Sequence, residues 1–168
     1  MKGRGLKGVR LFVSGKCVGF VEALGKVYSE SGWQRCVVHF YRNVFTVTPS
    51  GKRRSVTAMR KAIHVSEDLE AARKKTRDVT ERLRAMKLNK AADLVESGAE
   101  ETFSYYAYPS EHWRSLRTNN PLERIGREIR RRTQVVGSFP DGNSALVLVA
   151  ATLRHITSIR WGPRSIWT

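Results

Sequence analysis

Gly8-Val9-Arg10-Leu11-Phe12-Val13-Ser14 and, further on, Cys36-Val37-Val38-His39-Phe40 frame the segment that decides the fold. In the first, Val9, Leu11 and Val13 alternate on one face, the period of a strand. Phe12 on the other face points to cover on both sides. Cys17, Phe20, Val21, Leu24, Val27 and Tyr28 follow at i, i+3, i+4, i+7, i+10 and i+11. That spacing is one apolar stripe of a helix ending near Gly32. The continuous apolar run Cys36 to Phe40 reads as a short buried strand. Strand, helix and strand with short connections predict a βαβ unit, parallel and right-handed.

Beyond the turn Thr48-Pro49-Ser50-Gly51-Lys52 the composition shifts. Residues 55–106 are rich in Ala, Glu, Lys, Arg and Leu and carry no strand pattern. Ser66 is the expected cap of a helix with Glu67, Asp68 and Glu70 in its first turn. Asn89 is the expected cap of another that stops at Gly98. A helix from Pro121 should turn Leu122, Ile125 and Ile129 inward, and a very apolar one should run from Ser144 to about His155. The expected class is α/β with an all-helical insertion. Residues 1–54 form the α/β segment, 55–115 the insertion, and 116–168 helices that return to the sheet.

At 168 residues and 40% hydrophobic content the chain is long and apolar enough for one real core. Its net charge of +16 points to a polyanionic partner, most simply nucleic acid. Residues 1–65 hold 13 Lys/Arg against Glu22 and Glu30, a balance of +11, and the remainder contributes +5. The apolar run Ala145 to Leu153 is far too short for a bilayer, and Met1-Lys2-Gly3-Arg4-Gly5 lacks the apolar core of a signal peptide. Two cysteines, Cys17 and Cys36, make no disulfide framework. A cytoplasmic location without membrane contact is expected.

The chemistry concentrates in Arg117-Thr118-Asn119-Asn120-Pro121-Leu122-Glu123-Arg124 and in Arg127, Glu128, Arg130, Arg131 and Arg132 beyond it. One carboxylate opens a helix and a basic surface follows, which suits a divalent metal beside a DNA phosphate. The same pattern also reads as Asn120 capping the helix with Glu123 reaching back in a capping box. The four aspartates, Asp68, Asp78, Asp93 and Asp141, all lie outside the α/β segment. At the carboxyl end of its first strand, where open α/β sheets place function, stands Val13-Ser14-Gly15-Lys16. A two-metal site needs several carboxylates, and Glu123 alone does not build one. Cys36 and His39 form a Cys-x-x-His pair; zinc would require two more ligands, with Cys17 and His64 at no recognised spacing. A buried thiol and a hydrogen-bonded imidazole is the simpler reading. Trp33, Tyr41, Tyr105, Tyr106, Trp113 and Trp161 near basic residues suit either base stacking or core packing.

Trp33-Gln34-Arg35-Cys36-Val37-Val38-His39-Phe40-Tyr41-Arg42-Asn43 and Arg117 to Arg124, in that order, resemble the Mutator-type transposases of bacterial insertion sequences. The likeness runs over nearly the whole chain, through Arg130-Arg131-Arg132-Thr133, Val136-Gly137 and Phe139-Pro140. It implies a partial ribonuclease H-like fold with a helical insertion before the last catalytic glutamate. It also implies two Mg²⁺ ions held by two aspartates and one glutamate, which cut element ends and join them to target DNA. Glu123 matches the family glutamate and metal ligand. Cys36, His39, Asn119, Asn120, Arg124 and Arg127 match its surroundings. Gly15 stands where the second aspartate belongs, and the first would precede Met1. The resemblance therefore implies the carboxy-terminal part of a transposase, a truncated remnant inactive by itself, with metal binding in doubt. Its DNA surface would comprise Arg35, Arg42, Arg127, Arg130, Arg131 and Arg132. Part of the arginine run would otherwise pair with Glu96, Glu100 or Glu101. The alternative is a non-enzymatic regulator that binds DNA or joins a full-length transposase and poisons its assembly; self-association is a further possibility for partners.

Overall fold

A computed structural model describes residues 5–156 and 158. Strands β1 (Leu11–Ser14) and β2 (Gly32–Arg35) pair in parallel, with Leu11 opposite Gly32 and Ser14 opposite Arg35. Helix α1 (Val18–Val27) makes the connection, as its apolar period predicts, but it stops at Val27 and not near Gly32, which opens β2. These two strands form the sheet, and β1 pairs only with β2 among the described residues.

The second strand lies earlier than expected. Cys36 to Phe40 is not a strand: β2 ends at Arg35, and the chain enters helix α2 (Val37–Thr46) through Cys36. A five-residue apolar run carries too little periodicity to separate strand from helix. Val37, Phe40, Tyr41 and Val44, at i, i+3, i+4 and i+7, are all buried and form one helical face. The polar Gln34 sits fully buried in β2 because its amide is matched. Its Nε2 donates to the carbonyls of Thr102 (2.7 Å) and Arg35 (2.9 Å), and its Oε1 accepts the Tyr105 N–H at 3.0 Å. A buried amide so bonded avoids the penalty of an unsatisfied polar group.

From Arg53 to Leu116 the chain is helical: α3 (Arg53–His64), α4 (Leu69–Ala85), α5 (Asn89–Gly98), two 3₁₀ turns and α6 (Ser110–Leu116). The main core lies among helices, not on the sheet. Phe40 and Val44 of α2, Val56 and Ile63 of α3, Leu83 of α4 and Val95 of α5 meet there. Gly98 is the closest approach. A Cβ on it would come within 2.8 Å of Phe40 Cε2 and 2.9 Å of Arg35 Nη1.

Two caps differ from expectation. The Ser66 hydroxyl closes α3 by donating to the Ala62 and Ile63 carbonyls, and Asp68 caps α4, its Oδ1 accepting the Ala71 N–H at 2.7 Å. Both residue types make such local bonds, and α4 starts beyond Ser66. Asn89 is the first residue of α5, and Leu88 holds the cap position.

The chain divides into two compact units, Met1–Thr118 and Asn119–Thr168. In the second, α7 (Asn120–Val136) ends at Gly137, whose φ of +75° favours glycine, and packs on α8 (Gly142–Ile156). Asp141 Oδ1 accepts the Ser144 N–H at 2.6 Å and starts α8 two residues before the expected Ser144. The fold is mixed α/β and mostly helical.

Candidate functional site

In the first unit, the end of β1 and the start of α2 converge. The Cys36 N–H donates to the Ser14 carbonyl at 2.7 Å, carrying the ladder one step past β2. Cys36 then occupies the N-cap position of α2, fully buried, with His39 on the third residue of the helix. A Cβ built on Gly15 would lie 3.7 Å from the His39 ring, ordinary van der Waals contact. Gly15, Cys36 and His39 are thus neighbours.

The second motif begins in the same place. Arg117 accepts the Val37 N–H on its carbonyl at 3.0 Å, beside Cys36. Its guanidinium donates to the His64 carbonyl at the end of α3 and stands 6.0 Å over the Tyr105 ring. Sequence reading gave Arg117 no separate part, since a backbone bond to Val37 leaves no pattern in residue types.

His64 sits in an aromatic pocket. It lies among Tyr41, Phe103 and Tyr105, with ring centroids 5.6, 5.6 and 6.4 Å away. Burial, then the charges of Arg117 and Arg60, push its pKa down to about 3, so the ring is neutral. Cys17 is exposed. No cluster of three or more His, Cys, Asp or Glu able to hold a metal occurs among the described residues. The aromatics pack on one another: Tyr105 stacks on Tyr106 at 4.3 Å, and Trp113 meets Tyr106 edge-on at 4.7 Å. Trp161 lies outside the described residues.

Arg35, expected on a DNA surface, is buried. It donates to Glu101 Oε2 at 2.9 Å and lies 4.8 Å over the Phe40 ring. This is a scaffold role, and it follows from Arg35 ending β2 against the insertion. Arg42 is exposed on α2.

In the second unit, Asn119 is the cap residue of α7, without a capping bond from its side chain, and Asn120 is the first helical residue. The Glu123 N–H donates to the Asn119 carbonyl at 3.1 Å. Glu123 is therefore the fourth helical residue, one beyond the capping-box position. At 100° per residue, Asn120, Glu123, Arg127 and Arg130 share one face, and the half-buried Ile125 and Ile129 lie across the helix from it. Leu122, expected inward, is 67% exposed. Periodicity fixes its stripe, but among the described residues Leu122 in the first turn stays uncovered.

The arginine run is divided. Glu128 binds Arg131 at 2.7 Å and Arg132 at 3.0 Å, and these two hold its carboxyl down to about 2. The insertion carboxylates serve other cations: Glu96 binds Arg84, Glu100 binds Arg73, and Glu101 binds Lys16 and Arg35. The i,i+3 and i,i+4 spacing of Glu128 was the available sign of this pairing. Arg124, Arg127 and Arg130 are exposed and make no ion pair among the described residues. The second unit thus offers one free row of cations beginning beside one carboxylate.

Similarity to known sequences places the chain in a family. Residues 1–160 match the family described as Transposase, Mutator family, and the chain belongs to it. It is 38% identical over 153 residues to the transposase for insertion sequence element ISRM5 of Rhizobium meliloti, covering 90% of this chain and 38% of that protein. It is 36% identical over 157 residues to the transposase for insertion sequence element IS256 in transposon Tn4001 of Staphylococcus aureus, covering 93% and 40%. With the transposase for IS1081 of Mycobacterium tuberculosis it shares 36% over 150 residues, 89% and 36% of the two chains. The chain therefore spans 36–40% of the length of these curated relatives. No helix among the described residues is long and apolar enough to cross a membrane.

Proposed function

We propose that this chain is the part of a Mutator-type transposase that carries the Cys-x-x-His motif and the final glutamate, and that it binds DNA in the cytoplasm without cutting it by itself. The carrying observation is α7: Arg124, Arg127 and Arg130, without an ion pair among the described residues, lie on the helix that carries Glu123 in its first turn. Such cations bind phosphate without reading sequence. The parallel β1–α1–β2 unit and its helical continuation suit a ribonuclease H-like domain with an insertion.

The residues present do not fit a pair of Mg²⁺ ions. Magnesium takes oxygen ligands in near-octahedral geometry, and the position at the end of β1 is Gly15, facing the His39 ring. Glu123 is the single carboxylate in either motif at the family's metal positions. The expected result with scrambled or element-end duplex and Mg²⁺ or Mn²⁺ is binding without nicking or strand transfer. Metal-dependent cleavage that vanishes in Glu123→Gln refutes this. At Gly15 a Cβ makes only ordinary contact with His39; Gly15→Asp, with its fold checked by a thermal melt, should remain inactive.

A second reading, association with an intact transposase of the family, is favoured by α1. Its apolar stripe contains no buried residue, and Val18 and Val27 are exposed. Co-purification of the tagged chain with a full-length relative tests it: loss of the complex in Val18→Asp/Val27→Asp supports the reading, and no complex at all removes it.

A further inference from the structure

Residues 31–66 hold seven Lys/Arg and no Asp or Glu. This acid-free stretch builds β2 from Gly32, α2, the turn after it and α3. Its seven cations divide by what they touch. Arg35 is taken by Glu101. Arg53 donates to the Phe45 and Thr48 carbonyls and so finishes α2. Arg60 lies 5.9 Å over the Tyr41 ring. The other four, Arg42, Lys52, Arg54 and Lys61, are exposed and make no ion pair among the described residues. On the neighbouring acid-bearing helices several cations are paired instead, Arg73 with Glu70 and Glu100, Lys75 with Glu67, and Arg84 with Asp93 and Glu96.

Uncompensated charge on rigid helices is the footprint of a polyanion. Arg54 and Lys61 are seven residues apart on α3, two turns along one face, roughly 10.5 Å along the axis. Only the short Thr57 and Ala58 stand near that face between them, while Val56, Met59 and Ile63 face the core. Helix α3 contains no Phe, Tyr or Trp. A single strand would need stacking rings, whereas a duplex backbone needs only cations that approach closely.

We propose that Arg42, Lys52, Arg54 and Lys61 form a second phosphate-binding surface for duplex DNA, carried by the first unit and additional to the arginines of α7. This rests on the DNA-binding reading above and extends it from Arg42, which lies in a family motif, to Lys52, Arg54 and Lys61, which lie in none. The test uses the full chain and a labelled duplex of random sequence, titrated by fluorescence anisotropy at several salt concentrations. The slope of log K against log[salt] is about −0.9 per phosphate neutralised. Replacing all four by Gln should flatten it by up to about 3.6, and Lys52→Gln/Lys61→Gln alone by up to about 1.8. An Arg127→Gln/Arg130→Gln variant should flatten it independently, the two effects adding. Circular dichroism melts check the fold, and the double lysine variant serves if the fourfold one does not fold. An unchanged slope in both the fourfold and the double lysine variant, with a flattened slope in the α7 variant, overturns the proposal alone. Absence of duplex binding by the wild-type chain overturns the DNA reading and this inference together. Binding to phosphatidylserine vesicles that the four substitutions abolish, with DNA binding untouched, overturns it in favour of a lipid surface.

Discussion

Replacing His64 by Phe should make the chain more tolerant of mild acid. His64 is 6% exposed, and neither ring nitrogen meets a hydrogen-bond partner among the described residues. Its pKa falls from an ordinary 6.5 to about 3 in the folded chain, chiefly by burial, then by Arg117 and Arg60. The folded state therefore prefers the neutral ring, while the unfolded chain takes up a proton as pH drops below 6.5. Stability from this group is complete above 6.5, declines as pH falls, and levels off near 3. Each unit of that window is worth about 1.4 kcal/mol. Between pH 6.5 and 5 the wild type should lose roughly 2 kcal/mol through His64, a large share of the ~5–15 kcal/mol that a domain has. Glu128 and Asp141, held low by their own bonds, lose their contributions only below their ordinary values of 4.5 and 3.8, outside this interval. Phe keeps the ring against Tyr41, Phe103 and Tyr105 and removes the proton site. Urea unfolding at pH 7, 6 and 5 should show a pH dependence shallower by about 2 kcal/mol in His64→Phe. Parallel curves for the two proteins would mean that His64 takes up its proton while folded, and the argument from burial would fail.

Two further outcomes test the scaffold. Gly98→Ala should destabilise by about 1–3 kcal/mol, measured as a lowered urea midpoint, because the new methyl meets Phe40 and Arg35, which have little room to move. Arg35→Leu should lower the melting temperature and leave the DNA salt slope unchanged, since the guanidinium is committed to Glu101; a flatter slope would restore Arg35 to the DNA surface.

The sequence made the βαβ order legible because Leu11, Val13 and the stripe from Phe20 to Tyr28 keep their periods. It left the border of β2 illegible. Val37, Val38 and Phe40 suit a strand as well as a helix, and the residues that do form β2 are Gly32, Trp33, Gln34 and Arg35, of which Gln34 and Arg35 are held by partners far along the chain. The site was legible where it depends on residue type at fixed spacing, as with Cys36 and His39. It was not where it depends on tertiary pairing. Nothing beside Arg35 in the chain announces Glu101, and nothing in the Arg117 motif announces that its carbonyl ends on Val37. Glu128 was an intermediate case, since its partners lie three and four residues away.

Gln34 has a consequence for how this chain diverges. Its slot requires two donors and one acceptor at once, toward Thr102, Arg35 and Tyr105. Glutamate of the same shape would present oxygen to two carbonyls, and leucine would strand all three groups. Selection for folding alone is enough to retain Gln34, whereas Glu123 is the carboxylate that the family motif marks for chemistry. Substitutions at these two positions among near relatives therefore report separately on shape and on chemistry: a lineage that keeps the glutamine and loses the glutamate is being maintained as a scaffold.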